Sequence, residues 1–300
     1  MRLAYSSVQL LPLFCFRSTT NGLVSSSSLP KHSSSYHHPY QRQRQQLQYF
    51  STRALTASST TTSTTSTSRA MGWADTWDDI VQGGSERWKV NDETSHQAVL
   101  AILKRYMKED APQNILCPLC GDDPMVYLLW QQGHSVTAMD LVPVALERMR
   151  QQFEGSWTQE EITTTSGDAK LVCFKHESGR ATQYQGDALQ FLPSLQQTFD
   201  VVYDKDSFGA LPINLRSEFC ARMAEYTKST TGMIYIEVKL RDNHDQTKHA
   251  GPPFSLQKED LMDPQCYGAA FEHVQALGSV YPTTMGGMQQ TGHILKRKTQ

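Results

Sequence analysis

Beyond Met71, short apolar runs alternate along the chain with segments of helical periodicity. The strand-like runs cover residues 114–117, 135–139, 199–203 and 233–238. The helix-like segments cover residues 95–108, 124–132, 143–153 and 215–226. Alternation of this kind is typical of β-α units, whose helices cover a mostly parallel sheet. We therefore predict an α/β fold, with residues 171–175 and 181–185 forming an antiparallel hairpin.

A glycine and several acids follow the predicted strands. Gly121 and Asp140 come after the first two strands, Asp187 follows the hairpin, and Asp204 ends the next strand. Ligands in sheets of this kind bind in a crevice beyond the carboxyl ends of the strands. The sequence therefore predicts a ligand site formed by these ends.

The first strand runs into the loop Cys117-Pro-Leu-Cys120-Gly121, which is open to three interpretations. A zinc knuckle has this cysteine spacing, but tetrahedral zinc needs four ligands, and no second pair of this kind occurs in the chain. A thioredoxin-like redox pair requires a thiol of low pKa at a helix start, a position that suits Cys120. A nucleotide-type cofactor loop needs a glycine in the turn and an acid at the end of the second strand.

Spacing favours the cofactor loop. Gly121 and Asp140 lie 19 residues apart, close to the separation found in dinucleotide-binding folds. The loop lacks the other glycines that cradle a pyrophosphate, which counts against NAD and FAD. S-adenosyl-L-methionine carries no phosphate and demands less of this loop, so the pattern favours a methyltransferase.

Several motifs resemble one known family. These segments are 114–121 (NILCPLCG), 132–136 (QGHSV), 202–210 (VYDKDSFGA) and 247–254 (TKHAGPPF). With Arg87-Trp88 before them, they resemble the thiopurine S-methyltransferase family over most of the folded part, from about Trp88 to Leu261. Related thiol and halide methyltransferases share the last of these segments.

The resemblance implies a class I methyltransferase fold. This is a single Rossmann-like domain, here residues 71–300, with a mostly parallel seven-stranded sheet flanked by helices. The implied cofactor is S-adenosyl-L-methionine, without a metal. The residues implied to bind it are Trp88, Leu119, Gly121, Asp140, Asp187 and Ala188. By analogy, Trp88 packs over the methionine end of the cofactor, Asp140 holds the ribose, and Asp187 and Ala188 contact the adenine.

Catalytic candidates follow the strand at residues 199–203. The family usually has Asp-Arg here, whereas this chain has Asp204-Lys205, and lysine lacks the planar fork of arginine. A thiol with a pKa of about 8.5 is already a few per cent ionised at pH 7, so alignment matters more than a strong base. We hypothesise that Lys205 raises the thiolate fraction, that Asp204 orients Lys205 or relays the proton, and that Arg216 is a second cation. Gly251-Pro-Pro-Phe254 is predicted to be a stiff lid loop.

The predicted activity is methylation of a thiol sulfur in a small molecule, by a monomeric enzyme. Methylation of a halide or of hydrosulfide stays open, because iodide needs no deprotonation. A protein-lysine methyltransferase would share the fold and Asp140, although the lid segment speaks against it. A zinc-knuckle adaptor is the non-enzymatic alternative.

The first 70 residues differ in composition from the rest. They contain seven Lys or Arg, 26 Ser or Thr, and no Asp or Glu. This composition is typical of a disordered transit peptide followed by a Ser/Thr-rich linker. It favours a mitochondrial destination over a plastid, and a translation start at Met71 would leave the protein cytosolic.

Charge and hydropathy argue against nucleic-acid binding and against a membrane-spanning helix. Residues 71–300 carry 21 basic and 30 acidic side chains, so they have no basic surplus for binding nucleic acid through counterion release. No run reaches about 18 consecutive apolar residues, and the sequence therefore predicts no membrane-spanning helix.

Overall fold

A computed structural model describes residues 73–299, apart from 85, 87–88, 91, 109–110, 164–169 and 284–285. The α-helices are α1 (Trp73–Val81), α2 (Glu93–Tyr106), α3 (Pro124–Gln131), α4 (Pro143–Arg150), α5 (Ser207–Ala210), α6 (Ile213–Tyr226), α7 (His244–Thr247) and α8 (Lys258–Leu261). The strands are β1 (Asn114–Pro118), β2 (Ser135–Asp140), β3 (Trp157–Thr163), β4 (Lys170–His176), β5 (Ala181–Gln185), β6 (Val201–Lys205), β7 (Met233–Arg241), β8 (Phe271–Tyr281) and β9 (Met288–Arg297). The predicted leader, residues 1–70, lies outside the described residues.

The strands form one mixed sheet. Within the described part of the chain its order is β3-β4-β5-β2-β1-β6-β7-β9-β8. The five strands from β5 to β7 are parallel to one another, and the outer strands pair antiparallel. The predicted α/β class and the β4–β5 hairpin are confirmed. The predicted number of seven strands is wrong, because β3 and β4 extend the sheet beyond β5 and make nine.

The apolar patterning of the strands explains how the layers form. Every second residue of β7 points to the same face, so Tyr235 joins one apolar cluster and Ile236 the other. Val126 of α3 and Leu146 of α4 pack in the cluster with Tyr235, and α2 covers the same face. Phe219 of α6 packs in the opposite cluster. The central strands are therefore buried on both faces, as a parallel sheet requires.

Local signals fix the ends of the helices near the site. The Asp123 side chain accepts a hydrogen bond from the Met125 amide at 3.0 Å and caps α3, with Pro124 at its first position. Gly133 follows α3 with a φ of +96°, a conformation that favours glycine. The chain thus turns directly from α3 into β2, as the sequence predicts.

The strand order reverses between β1 and β6. Chain connections leave in opposite directions at such a switch point and open a crevice beyond the carboxyl ends of the two strands. Leu119 follows β1, and Asp206 follows β6, so both lie at this crevice. No helix among the described residues is long and apolar enough to cross a membrane.

Candidate active site

The loop after β1 has an unusual backbone. Leu119 and Gly121 both adopt positive φ angles, +42° and +56°. The Cys120 amide between them donates a hydrogen bond to the Met139 carbonyl oxygen at 3.3 Å, which ties the loop to the end of β2. A left-handed backbone at a strand end presents main-chain groups to a ligand without an intervening side chain.

Asp140 fastens this loop. One carboxylate oxygen accepts a hydrogen bond from the Gly121 amide and the other from the Val142 amide, both at 2.8 Å. Burial raises the pKa of Asp140, although these backbone hydrogen bonds oppose the rise. Gly121 and Asp140, whose spacing in the sequence predicted a common site, are thus in direct contact. Each carboxylate oxygen also keeps a second lone pair for a ribose hydroxyl.

An aromatic residue that sequence analysis missed packs against the loop. A Cβ placed on Gly121 would lie 3.0 Å from Cζ2 of Trp77, which comes from α1 and is 4 % exposed. The Arg148 guanidinium lies over the same indole, 5.8 Å from its centroid. Trp88, the tryptophan predicted for the cofactor, lies outside the described residues, so its role stays a prediction.

Replacing Gly121 with alanine is expected to strain the loop and displace Trp77. The free energy of unfolding should fall by about 1–3 kcal/mol more than for Gly133→Ala, because overpacking adds to the positive-φ strain that both positions share. Gly133 is the matched control, since its φ is +96° and an added Cβ meets nothing within 4 Å. Urea unfolding of the two variants measures the difference, and equal losses would contradict the Trp77 contact.

The third strand end lies beside Asp140. The Gly186 amide, just after β5, donates to the Asp140 carbonyl oxygen at 3.0 Å. The Asp187 carboxylate then accepts a hydrogen bond from the Leu189 amide at 2.9 Å, and Ala188 is 1 % exposed. The carboxyl ends of β1, β2 and β5 thus bring the described cofactor candidates together.

Asp204 is buried on the α6 face of the sheet. Its carboxylate accepts hydrogen bonds from the Ser207 and Phe208 amides, at 2.9 and 3.3 Å, and from the Tyr267 hydroxyl at 2.9 Å. Burial raises its pKa to about 6, against the effect of these donors. Asp204 therefore holds the turn after β6 and the Tyr267 ring in place.

Lys205 lies on the opposite face, because consecutive strand residues point to opposite sides of a sheet. Its ammonium is 3.9 Å from the Asp123 carboxylate, beside the cofactor loop. Burial alone would lower the pKa of Lys205, but Asp123, Asp206 and Glu237 raise it above its usual value. The structure therefore brings Lys205 to the cofactor loop and separates it from Asp204, which does not orient it as predicted.

Arg216 is a buried packing residue on the same face as Asp204. It is 5 % exposed, and its Nε donates to the Leu211 carbonyl oxygen at 3.1 Å. The guanidinium lies between the Phe208 and Phe254 rings, 5.0 and 4.9 Å from their centroids. Burial lowers its pKa, but a guanidinium remains charged in proteins. Arg216 thus connects the predicted lid segment to the turn after β6.

The predicted lid segment is fastened at several points. The Phe254 amide donates to the Gly209 carbonyl oxygen at 2.9 Å. Arg241 at the end of β7 donates to the carbonyl oxygens of Ala250 and Pro253, at 2.6 and 3.1 Å. The segment therefore covers the α6-face side of the strand ends in a fixed conformation.

Sequence analysis also missed a buried polar network on the Lys205 face. It comprises Asp123, Tyr203, Lys205, Asp206, Tyr235, Glu237, Lys239, Tyr281 and Gln290, and we call it the β6–β7 network. The available signal was a glutamate and a lysine within the otherwise apolar run of β7. Burial raises the pKa of Glu237 to about 7, while the charge of Lys205 opposes the rise.

The cysteine loop has no zinc geometry. Cys117 is fully buried in β1, and burial raises the pKa of its thiol well above the usual range. Desolvation also raises the pKa of the half-buried Cys120 thiol strongly, which argues against a reactive redox pair. Among the residues that the structure describes, no group of three or more His, Cys, Asp or Glu side chains could hold a metal ion.

Comparison with known proteins decides the family. The family model for thiopurine S-methyltransferase matches residues 74–295. The chain belongs to this family. Thiopurine S-methyltransferase of the horse, Equus caballus, is 26% identical over 190 residues, which is 62% of this chain and 75% of the relative. The enzyme of Gluconobacter oxydans strain 621H is 28% identical over 205 residues, or 68% and 83% of the two chains.

A solved structure supports the class I fold of this family member. The 1,6-didemethyltoxoflavin-N1-methyltransferase of Burkholderia thailandensis matches with a TM-score of 0.53 and 17% identity, covering 75% of this chain and 86% of that one. That structure contains S-adenosylhomocysteine. The thiopurine S-methyltransferase family resemblance of the motifs is thus confirmed, and the chain is an S-adenosyl-L-methionine-dependent S-methyltransferase.

Proposed function

We propose that this protein transfers the methyl group of S-adenosyl-L-methionine to the sulfur of a small-molecule thiol. The observation that carries the proposal is the loop after β1, which Asp140 fastens at the switch point of the sheet. A chain of the thiopurine S-methyltransferase family with this loop has the parts needed to hold the cofactor beside an acceptor.

The residues present fit the cofactor. Leu119 and Gly121 present main-chain groups at the strand end through their positive φ angles, and Asp140 has lone pairs for the ribose hydroxyls. Asp187 and Ala188 would hold the adenine. The rest of the cofactor would be covered by Trp77, Leu119 and the predicted Trp88. When bound, the cofactor supplies a methyl group already activated by a sulfonium.

The chain then has to align the acceptor and exclude water. Arg216 and Phe254 keep the lid segment closed over one face of the strand ends. Asp204 fixes the turn after β6 through its three hydrogen bonds. Lys205 contributes a positive charge beside the loop, where it faces the Asp123 carboxylate at 3.9 Å. The thiol proton leaves to solvent as the new sulfur–carbon bond forms.

The proposal is tested by methyl transfer from the labelled cofactor with the full-length chain. We would offer 6-mercaptopurine, thiophenol, hydrosulfide and iodide in parallel and expect label on at least one organic thiol. Label on iodide or hydrosulfide alone would replace the proposed acceptor class with small inorganic nucleophiles. Cofactor binding without transfer to any of them would place the acceptor outside sulfur and halide chemistry.

Substitution Lys205→Met is expected to reduce kcat/KM for the thiol by about 10-fold or more, because one lost charge contact beside a buried carboxylate is worth at least about 1.4 kcal/mol. Glu237 would lose the ammonium that favours its charged form, and Asp123 would lose its ion-pair partner at 3.9 Å. Steady-state kinetics over a range of pH measures the effect. The matched control is Lys104→Met on the exposed side of α2. A variant with full kcat/KM and an unaltered pH profile would remove Lys205 from the mechanism.

We also propose that the protein is monomeric and is imported into mitochondria. The monomer is proposed by analogy with the family, and the import rests on the composition of residues 1–70, with a plastid as the alternative destination. Imaging of a fluorescent protein fused to these residues distinguishes the two, and a diffuse cytosolic signal would contradict both. Size-exclusion chromatography with light scattering measures the mass in solution.

A further inference from the structure

The β6–β7 network begins at Glu237, which is fully buried. Glu237 pairs in register with Lys205 on the neighbouring parallel strand, so both side chains lie on the same face. The Tyr235 hydroxyl donates to one carboxylate oxygen of Glu237 at 2.8 Å, and the Tyr281 hydroxyl donates to the other. This carboxylate is therefore held between two neutral donors beside one ammonium.

Asp206 forms the second part of the network. It follows β6 with a φ of +62°, which is strained for a residue other than glycine. Its amide donates to the Glu237 carbonyl oxygen at 2.9 Å, and its carboxylate accepts from the Gln290 amide group at 3.1 Å. Lys239 lies 3.4 Å from the same carboxylate and also donates to Gln290. The part of the network around Glu237 and the part around Asp206 are thus joined at the end of β7.

The network lies at the strand ends across the switch point from most of the cofactor candidates. The described cofactor candidates Leu119, Gly121, Asp140, Asp187 and Ala188 follow β1, β2 and β5, on one side of the switch point. The network occupies the ends of β6 and β7 on the other side, and Asp123 connects it to the loop after β1. An acceptor that enters the crevice opposite the cofactor candidates would meet the β6 and β7 ends.

Both ammoniums of the network already face carboxylates without a ligand. Its carboxyls belong to Asp123, Asp206 and Glu237, and its ammoniums to Lys205 and Lys239. Each of the two ammoniums faces at least one carboxylate within 4 Å, so neither is available to compensate an incoming anion. An added negative charge here would face three carboxyls at low dielectric, where repulsion is strongest.

A further ammonium, that of Lys89, also faces carboxylates. The Lys89 ammonium lies 2.7 Å from the Asp122 carboxylate and 3.4 Å from that of Glu86. Arg216 belongs to the opposite face, where it packs between two rings. The Arg241 guanidinium, at the end of β7, donates to carbonyl oxygens in and next to the lid segment. Within the described β6–β7 network itself, an anion would meet three carboxyls and two ammoniums that already face carboxylates.

From this arrangement we infer that the acceptor side selects acceptors without negative charge and that Glu237 and Asp206 determine this specificity. The inference rests on the proposed thiol methylation and names its acceptor class: a thiol that binds protonated, on a carbon skeleton without carboxylate or phosphate. The sulfonium is then the positive charge that the sulfur meets as it loses its proton. Iodide and anionic thiols are poor acceptors for this site.

The test compares two acceptors of nearly equal size, 3-mercaptopropanamide and its anionic counterpart 3-mercaptopropionate. At pH 8, above the pKa of about 7 that burial gives Glu237, the amide should have a KM at least about 10-fold lower, which corresponds to about 1.4 kcal/mol. Binding of each acceptor to the complex with S-adenosylhomocysteine is measured separately by the shift in Tm.

Substitutions then identify the determinant. Glu237→Gln should bring the ratio of the two KM values toward one, and Asp206→Asn is the second variant if the first fails to fold. Glu272→Gln, an exposed carboxyl of β8 outside the network, is the matched control and should retain the wild-type ratio.

Each outcome separates the inference from the proposed function. Equal KM values, or a preference for the propionate, would overturn the inference while leaving thiol methylation intact. Unchanged discrimination in both network variants would assign the selection to other residues and would also overturn it. If neither thiol is methylated, thiol methylation fails for this class, and the Tm shifts still report whether the site prefers the neutral ligand.

Discussion

Replacing Asp140 with alanine is expected to weaken binding of S-adenosyl-L-methionine by about 100-fold or more. The substitution removes the acceptor for the Gly121 and Val142 amides, which each lie 2.8 Å from the carboxylate. Hydrogen bonds to a charged group contribute about 1.5–3 kcal/mol each, so losing the loop contact and the proposed ribose contact corresponds to at least about 3 kcal/mol. The loop after β1 would no longer be fixed to the end of β2.

Calorimetric titration of the purified variant with the cofactor measures this effect. Glu218→Ala is the control, because Glu218 is an exposed carboxyl on α6, away from the strand ends. Circular dichroism shows whether Asp140→Ala keeps its fold at the temperature of the titration. A folded Asp140→Ala protein that binds the cofactor within about threefold of the wild type would show that the carboxylate contributes little to the site.

The pairing of Gly121 with Asp140 was predictable because it depends on local features. A glycine in the turn, an acid at the next strand end and a helix between them define a β-α-β unit, and the chain has little freedom in how it closes. The same reasoning predicted the ends of β5 and β6, because in each case polar residues follow a strand-like run. The structure confirms these strand ends and brings Gly121 and Asp140 into contact.

The contacts of Asp204 and Lys205 were less accessible from sequence. Adjacent residues suggest a common site, but a strand sends their side chains to opposite faces, and each joins a different set of partners. Tyr267 reaches Asp204 from 63 positions away, and Asp123 meets Lys205 through the loop after β1. Hydrogen-bond and ion-pair partners that come from such distant segments leave no periodic pattern in the sequence.

Three of the elements that escaped sequence analysis have identifiable physical reasons. Strand β3 is exposed along most of its length, so it has no apolar alternation. Strand β8 pairs with β9 through three register shifts, which interrupt the period of two that marks a strand. Helix α1 is only nine residues long, and the importance of Trp77 follows from its contact with Gly121, which only the folded chain shows.

The polar residues of β7 were visible, but their effect on stability depends on burial. Burial raises the pKa of Glu237 from a usual value of 4.5 to about 7. Between these two values the native state holds a proton that the unfolded state has released. The free energy of unfolding therefore falls as the pH rises through this window. Asp204 acts in the same direction at lower pH, from 3.8 to about 6.

Glu237→Gln is expected to remove the Glu237 part of this dependence. For a pKa difference of this size the contribution is about 3 kcal/mol between pH 5 and pH 8, at 1.36 kcal/mol for each pH unit. Because other groups titrate over the same range, the informative quantity is the change in slope between variant and wild type, obtained from urea unfolding at several pH values. Glu272→Gln should leave the slope unchanged because its carboxyl is exposed.

A Glu237→Gln protein with the wild-type slope would mean that Glu237 ionises normally in the folded protein. Glu237 would then be ionised at pH 6 as well as at pH 8. The KM ratio of the anionic and neutral thiols would therefore not increase between these two pH values.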